Sequence, residues 1–380
     1  MEKVLQDFKL ETKTLEAASN RKPNSVLVPG IDVLHVVYDL YKNVRKLAQE
    51  QIGVNLLFLH GSGMNRVIWE YYLIKFNELI SSQSQWGLNR VVFLDQVTHG
   101  DSAELNRFKL GVDFDWSDGA KDACRVALKE FNQQEVNIIV GHSMGGHQAL
   151  CCGVLCPDFF NLIIPIEPVL IPHVVSNDIR AKTIVHSRFF NAIWNKTKDT
   201  FNNDKDFKQY MEKGSFYTNT HPWIRNRIME FERVPLDSTG KLRTKISQDQ
   251  NTLCYMTLNP GAAWLISNLK FITTPVYCML GGIANWTPTE NKQALENEVE
   301  NITIDVVGEG DHLMNLEIPD VIIGKILKCI DSFMEENYTK LIIKPRDMSQ
   351  EERRVRFEEV YDEFCKERIT DYTKSRVAKL

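Results

Sequence analysis

The chain has 380 residues, 43% of them hydrophobic and 25% charged, with a formal net charge of −5 at pH 7. Those proportions fit a globular protein with one large core or two domains. They exclude the basic stripe that nucleic-acid binding requires, and with no apolar run of about 18 residues no transmembrane segment is expected.

In chain order, residues 1–30 read as a loose lead-in, and Met1 to Lys22 is polar where a secretory signal would be apolar. Leu34 to Leu40 is strand-like, and Asn55 to Leu59 is a second strand ending in His60-Gly61-Ser62-Gly63. A helix is predicted around Val67 to Leu79. The strand Val91 to Leu94 closes on Asp95 and is followed by Gln96 to Ser102, a turn of small and polar residues. Asp118 to Phe131 is helical in pattern. Val136 to Val140 is an apolar, largely β-branched run of the kind that forms a buried strand. It leads into Gly141-His142-Ser143-Met144-Gly145, after which the residues from His147 onward suit a helix. Leu162 to Ile166 is another strand and ends in Glu167. Pro275 to Leu280 and Ile302 to Val307 are the last two. Strands alternating with helices predict an α/β fold, with a mostly parallel sheet covered by helices on both faces. Chemistry in such folds collects at the carboxyl ends of the strands.

The interval 170–268 breaks that alternation. Its aromatics, among them Trp194, Phe207, Tyr210, Phe216, Tyr217 and Trp223, are interleaved with charges at helical rather than strand spacing. It is expected to be an inserted helical cap that roofs a pocket and excludes water. The core is then 31–169 together with 269–340. Residues 341–380 form a charged helical extension. In it Ser349-Gln350-Glu351-Glu352 is a capping box, and Phe357, Val360, Tyr361 and Phe364 make one apolar stripe.

Gly-x-Ser-x-Gly between a strand and a helix is the context of a nucleophile elbow. The turn is too sharp for side chains at Gly141 and Gly145, and it forces Ser143 into a strained backbone that aims Oγ away from the sheet. A serine hydroxyl needs a base, which in this chain order should follow the last strand. His312, in Gly308-Glu309-Gly310-Asp311-His312, stands there. Strand alternation is expected to point His142 elsewhere, His60 precedes the oxyanion loop, and His99 sits in a turn. An imidazole also needs a carboxylate to fix its tautomer. The turn Gly281 to Pro288 contains none. Glu167, ending an apolar strand where an unpaired charge is costly, is the preferred acid, and Asp95 is the alternative. Asp311 is adjacent to His312 and cannot easily reach its ring. The oxyanion hole is expected from the backbone N–H groups of Ser62 and Met144. Of the eight cysteines, Cys151, Cys152 and Cys156 lie close together but fit no zinc spacing. They are expected to be reduced thiols on a buried helix, with no metal and no cofactor.

These motifs resemble the α/β-hydrolase superfamily over roughly residues 30–168 and 270–335, together with Gly310-Asp311-His312 and Glu317-Ile318-Pro319. The chain is similar to the fungal peroxisomal lipases nearly end to end. Trp69-Glu70-Tyr71-Tyr72-Leu73, Asp95 to Ser102, Gly214-Ser215-Phe216 and Leu253-Cys254-Tyr255-Met256 carry that likeness. The resemblance implies a peroxisomal matrix enzyme acting on acylglycerols or related esters. Ala378-Lys379-Leu380 is a near variant of the Ser-Lys-Leu address, to be read by the peroxisomal import receptor. Ala284 departs from the superfamily, many members of which place the acid there. Glu167, 24 residues after Ser143, instead resembles the acid of haloalkane dehalogenases. Those enzymes use a carboxylate nucleophile, whereas Ser143 favours acyl transfer. The expected function is a serine carboxylesterase or lipase cleaving a lipid or other acyl ester through Ser143, His312 and Glu167. The alternatives are a non-catalytic ligand-binding module on the same fold, or the same triad acting on thioesters or epoxides.

Overall fold

The aliphatic runs of the sequence meet in one sheet. In the computed structural model, which describes residues 1–48, 50–81, 83–170, 187–236, 238–342 and 349–368, eight strands pair. They are β1 (Phe8–Glu16), β2 (His35–Asn43), β3 (Ile52–Leu59), β4 (Trp86–Leu94), β5 (Val136–His142), β6 (Leu162–Ile166), β7 (Val276–Gly281) and β8 (Ile302–Val307). The order across the sheet is β1-β2-β4-β3-β5-β6-β7-β8. β1 with β2 and β2 with β4 run antiparallel, and every later neighbour pair is parallel. All of β5 and β6 is buried, as is β3 from Val54 to Leu59. Continuous burial is what a parallel sheet covered on both faces requires, and it explains why these strands read as apolar runs rather than as alternation.

The N-terminal segment is not a loose lead-in. Helix Glu2–Asp7 leads into β1, which pairs with β2 along its whole length from Phe8 opposite Asn43 to Glu16 opposite His35. β1 is an edge strand made of Lys, Glu and Thr with few apolar residues. Its place is secured by backbone pairing, which leaves little hydrophobic signal. The turn expected from Gln96 to Ser102 likewise already contains the start of a helix, Gly100–Asn106. Ser102 Oγ accepts from Val37 N at 2.7 Å and donates to Asp95 O at 3.0 Å, so the small polar residues there bind backbone.

Between β6 and β7 the described residues form helices Ser187–Lys196, Asp204–Lys213, Pro222–Glu232, Gln248–Met256 and Leu258–Asn268. Three two-residue strands also occur there, Thr200–Phe201, Leu242–Arg243 and Val234–Pro235, paired antiparallel. Strands this short have no period to read, and Pro235 is tolerated because its strand is at an edge of the ribbon. Residues 171–186 of the interval, with His173 and His186, lie outside the described residues.

Residues 337–380 form a separate unit. Its helix Gln350–Arg368 begins with the predicted capping box: Ser349 N donates to Glu352 Oε2 at 2.9 Å, and Glu352 N donates to Ser349 Oγ at 3.2 Å. Phe357, Val360, Tyr361 and Phe364 are all exposed. The tripeptide Ala378-Lys379-Leu380 lies outside the described residues. Among the described residues no helix is long and apolar enough to cross a membrane.

The tightest backbone approach is at the end of β5. A Cβ on Gly141 would overlap Gly145 O, and one on Gly145 would overlap Leu59 O and lie 2.8 Å from His60 O. Relief would need movement of two central strands. Gly145→Ala is therefore expected to destabilise the fold by about 3 kcal/mol, the upper part of the overpacking range. Thermal unfolding followed by circular dichroism measures this, and an unchanged midpoint would contradict it.

Candidate active site

β5 delivers Ser143 at a forced bend. The residue has φ +54° and ψ −112°, a conformation that L-residues hold only under constraint. Its N–H donates to Ile166 O at 2.9 Å, and its carbonyl accepts from His147 N at 3.0 Å. Helix Met144–Leu155 starts immediately behind it, so the Met144 amide belongs to the first turn, where amides lack intrahelical acceptors.

The loop after β8 brings His312 to that bend. Its Nε2 lies 3.0 Å from Ser143 Oγ and its Nδ1 lies 3.2 Å from Glu167 Oε2, with both side chains buried. Glu167 follows β6 with φ +47°. Its N–H donates to Met279 O at 2.8 Å, and its Oε1 accepts from Gly281 N at 2.6 Å. One carboxylate oxygen is thus tied to the end of β7 and the other faces the imidazole. In the neutral ring this geometry puts the proton on Nδ1, toward Glu167, and leaves Nε2 to accept from the serine hydroxyl.

Asp95, the alternative acid, is not at the histidine. Its Oδ1 accepts from Arg66 N at 2.8 Å, its Oδ2 accepts from Asp101 N at 2.9 Å, and the Arg66 guanidinium also binds it. Arg66 bridges onward to Asp39 at 2.7 Å and Asp101 at 2.8 Å. Sheet order is the reason. Asp95 ends β4, beyond β3 on one side of β5, whereas β6, β7 and β8 all lie on the other side.

Strand alternation misplaces His142. Its Nε2 donates to the His312 carbonyl at 2.7 Å, and the two rings have centroids 5.3 Å apart. It therefore grips the backbone of the residue that faces Ser143. The bend at Ser143 ends the strand periodicity on which that expectation rested.

The loop carrying Ser62 lies against the serine, since a Cβ on Gly61 would be 3.2 Å from Ser143 Cβ. Ser62 Oγ is 3.5 Å from Met144 Sδ, so the two expected oxyanion donors belong to adjacent residues. Two buried histidines shape this loop. His60 donates from Nδ1 to Gly61 O at 2.9 Å and accepts from Gln96 N at 3.1 Å. His99 Nε2 accepts from Gly63 N at 2.9 Å, where Gly63 has φ +78°. The pattern His60-Gly61-Ser62-Gly63 signalled a loop but not that His99 supports it. Trp286 was also missed: its ring stacks on His312 with centroids 4.8 Å apart and planes at 18°. It sits in the turn Gly281 to Pro288, and nothing in its spacing marks it.

Ser143, His312 and Trp286 line one pocket. Residues from 187–268 complete the walls, among them Met211, Phe216, Tyr217, Ile246 and Tyr255. Tyr217 donates its hydroxyl proton to Gly63 O, and Tyr255 donates to Ser62 O at 3.5 Å. Among the described residues no group of three or more His, Cys, Asp or Glu side chains could hold a metal ion. All eight cysteines are free thiols, and Cys151 and Cys152 are buried on the elbow helix.

A strained serine between strand and helix, on a mostly parallel sheet with its flanking loops at the strand ends, is the α/β-hydrolase architecture. The chain belongs to the alpha/beta hydrolase family, whose model matches residues 56–324. It is 37% identical to the peroxisomal membrane protein LPX1 of Saccharomyces cerevisiae, over 97% of this chain and 99% of that one. A crystal structure of the peroxisomal alpha-beta-hydrolase Lpx1 from the same yeast superposes with a TM-score of 0.81 at 37% identity, covering 96% of this chain and 99% of the other. A more distant relative, a type I acyl-CoA thioesterase of Penicillium brevicompactum, is 24% identical over 37% of this chain and 32% of its own length.

Burial controls the electrostatics around the site. It holds His60 and His147 down to about 4 and His142, beside His312, down to about 3. Unfolded imidazoles titrate near 6.5, so below that pH the unfolded chain takes up protons that the folded chain refuses. The stability these residues contribute is full above pH ~6.5 and is lost as pH falls toward ~3–4. Asp95 and Glu232, pushed up by burial to about 6 and about 7, act in the opposite sense. They favour the fold at low pH, and that contribution fades as pH rises through their folded values. With His99 also lowered by burial, the depressed imidazoles outweigh the raised carboxyls. The urea midpoint is expected to fall between pH 6.5 and 4, and a midpoint that rises on acidification would contradict this.

Proposed function

We propose that the chain is a serine hydrolase of acyl esters, lipase-like in substrate class, with Ser143 as nucleophile, His312 as base and Glu167 as acid. The observation that carries this reading is the Ser143 Oγ to His312 Nε2 distance of 3.0 Å, backed by Glu167 at 3.2 Å from Nδ1. Ser143 Oγ bonds to the ester carbonyl carbon as its proton passes to His312 Nε2. Glu167 steadies the resulting imidazolium, and the Trp286 face beside it favours the cation. The N–H groups of Ser62 and Met144 donate to the oxyanion, each typically worth ~3 kcal/mol of barrier. The acyl–oxygen bond then breaks, and His312 gives its proton to the departing alcohol. Water repeats the sequence: its proton goes to His312 and then back to Ser143 as the acid is released.

Residues 170–268 act as a cap over the core formed by 31–169 and 269–340, and the apolar side chains Met211, Phe216 and Ile246 receive the acyl chain. The proposed location is the peroxisomal matrix. The terminal Ala378-Lys379-Leu380 and the peroxisomal names of the yeast relative support it.

Ser143→Ala is expected to lower kcat/KM for p-nitrophenyl butyrate by ~10³-fold or more, and Glu167→Gln by ~10²–10⁴-fold. Steady-state hydrolysis reads both, and undiminished turnover by the serine variant would refute the nucleophile assignment. Removing residues 378–380 is expected to leave a fluorescently tagged protein in the cytosol. Continued import into the organelle would count against the address.

A further inference from the structure

We propose that Trp286 is a positioning residue for the base: its indole sets the tilt of the His312 ring, and the wall of the pocket sets the indole. The proposal takes its reaction from the esterase reading, while the stacking it depends on is measured without turnover. Hydrogen bonds hold His312 along one direction. Its Nε2 lies 3.0 Å from Ser143 Oγ, its Nδ1 lies 3.2 Å from Glu167 Oε2, and its carbonyl accepts from His142 Nε2 at 2.7 Å. The two ring bonds leave from opposite sides of the imidazole and fix the line between the nitrogens. They resist rocking about that line only weakly. Rocking swings the Nε2 lone pair, which lies in the ring plane, off the serine proton, and a misaligned bond transfers that proton poorly. A flat contact on one face opposes the motion. Trp286 makes that contact, with planes at 18° and centroids 4.8 Å apart.

The indole is itself held from two directions. Its turn is drawn against the loop that carries His312: Gly282 N donates to Val307 O at 2.7 Å, Ile283 N donates to Gly310 O at 3.1 Å, and a Cβ on Gly282 would lie 2.6 Å from Gly308 O. From the pocket side, the Phe216 ring meets the indole at 67° with centroids 6.1 Å apart, and the Tyr255 ring lies 6.3 Å away at 38°. Phe216 and Tyr255 belong to the interval between β6 and β7 and line the pocket together with Ser143. A chain of rings, Phe216 to Trp286 to His312, therefore runs from the pocket wall to the base. The acid reaches His312 from the end of β6, which leaves the turn after β7 to present a ring instead. The wall thus acts on the base through the indole, without touching it.

NMR of the full-length protein with ring-labelled histidine tests the stacking, and the spectrum of His312→Asn identifies the His312 signal. A C–H group over an indole is shifted upfield by its ring current. That shift is expected for His312, and it should shrink in Phe216→Ala, although Phe216 does not stack on the imidazole. Hydrolysis of p-nitrophenyl acetate, whose acyl group is too short to depend on the wall, tests the consequence. Trp286→Leu is expected to lower kcat about tenfold or more with KM within about twofold. Trp286→Phe, which keeps a flat ring, should retain most of the activity. Phe216→Ala should lower kcat in the parent but add little to Trp286→Leu, because the ring it steadies is gone. A His312 signal without the upfield shift, or one unmoved by Phe216→Ala, overturns the proposal. So does an unchanged kcat in Trp286→Leu, or an equal loss in the leucine and phenylalanine variants. If Trp286→Leu does not fold, the NMR of the parent and of Phe216→Ala decides. Turnover by the unmodified protein is read separately. Its absence, with the shift present and sensitive to Phe216, would sink the esterase reading and leave the positioning of the imidazole standing.

Discussion

The carboxylate of Glu167 ties three strand ends together. One oxygen binds the amide of Gly281 at the end of β7, and the other faces the imidazole delivered by the loop after β8, while its own residue closes β6. A buried carboxylate without such partners would cost several kcal/mol, so the same interactions that satisfy it also fix where His312 stands. The missing acid at Ala284 follows from this arrangement. The turn after β7 is drawn tight against the turn after β8, where Gly282 N donates to Val307 O at 2.7 Å and Ile283 N donates to Gly310 O at 3.1 Å. With Glu167 at the imidazole, that turn contributes Trp286, whose ring lies flat on His312.

Around this line the protein uses neutral histidines as fixed hydrogen-bonding parts. His142, His60 and His99 are all buried, and each uses a ring nitrogen on backbone at or beside the site. Burial keeps them uncharged, which gives each ring one donor and one acceptor and so one arrangement of partners. They position the backbone of His312 and of the loop bearing Ser62. The ionised network of Arg66 with Asp39, Asp95 and Asp101 supports the far end of that loop by charge instead.

The segment between β6 and β7 reaches the same loop from the other direction, through Tyr217 to Gly63 O and Tyr255 to Ser62 O. Residues that line the pocket thus also brace the peptide proposed to bind the oxyanion. Pocket shape and oxyanion geometry are coupled through two carbonyl groups, so a side chain that changes the walls near Tyr217 or Tyr255 also acts on that loop.

Residue type and order alone marked the sheet's central strands, the α/β-hydrolase class and the bend at Ser143. Apolar runs such as Val136 to Val140 and Leu162 to Ile166 bury on both faces, and the glycines flanking Ser143 are needed wherever that bend forms. These are local properties that residue type alone encodes. β1 was illegible because a polar edge strand is secured by backbone pairing, and the ribbon near Phe201 because two residues carry no period. Glu167 was already the preferred acid in the sequence, but the separation of Asp95 from the imidazole, the turn of His142 toward His312 and the stacking of Trp286 came only with the packing of the strands. Each depends on which strands lie beside which, and on where the chain bends between them. The contacts of Glu167 and His142 with His312 span 145 and 170 residues, which neither spacing nor composition records.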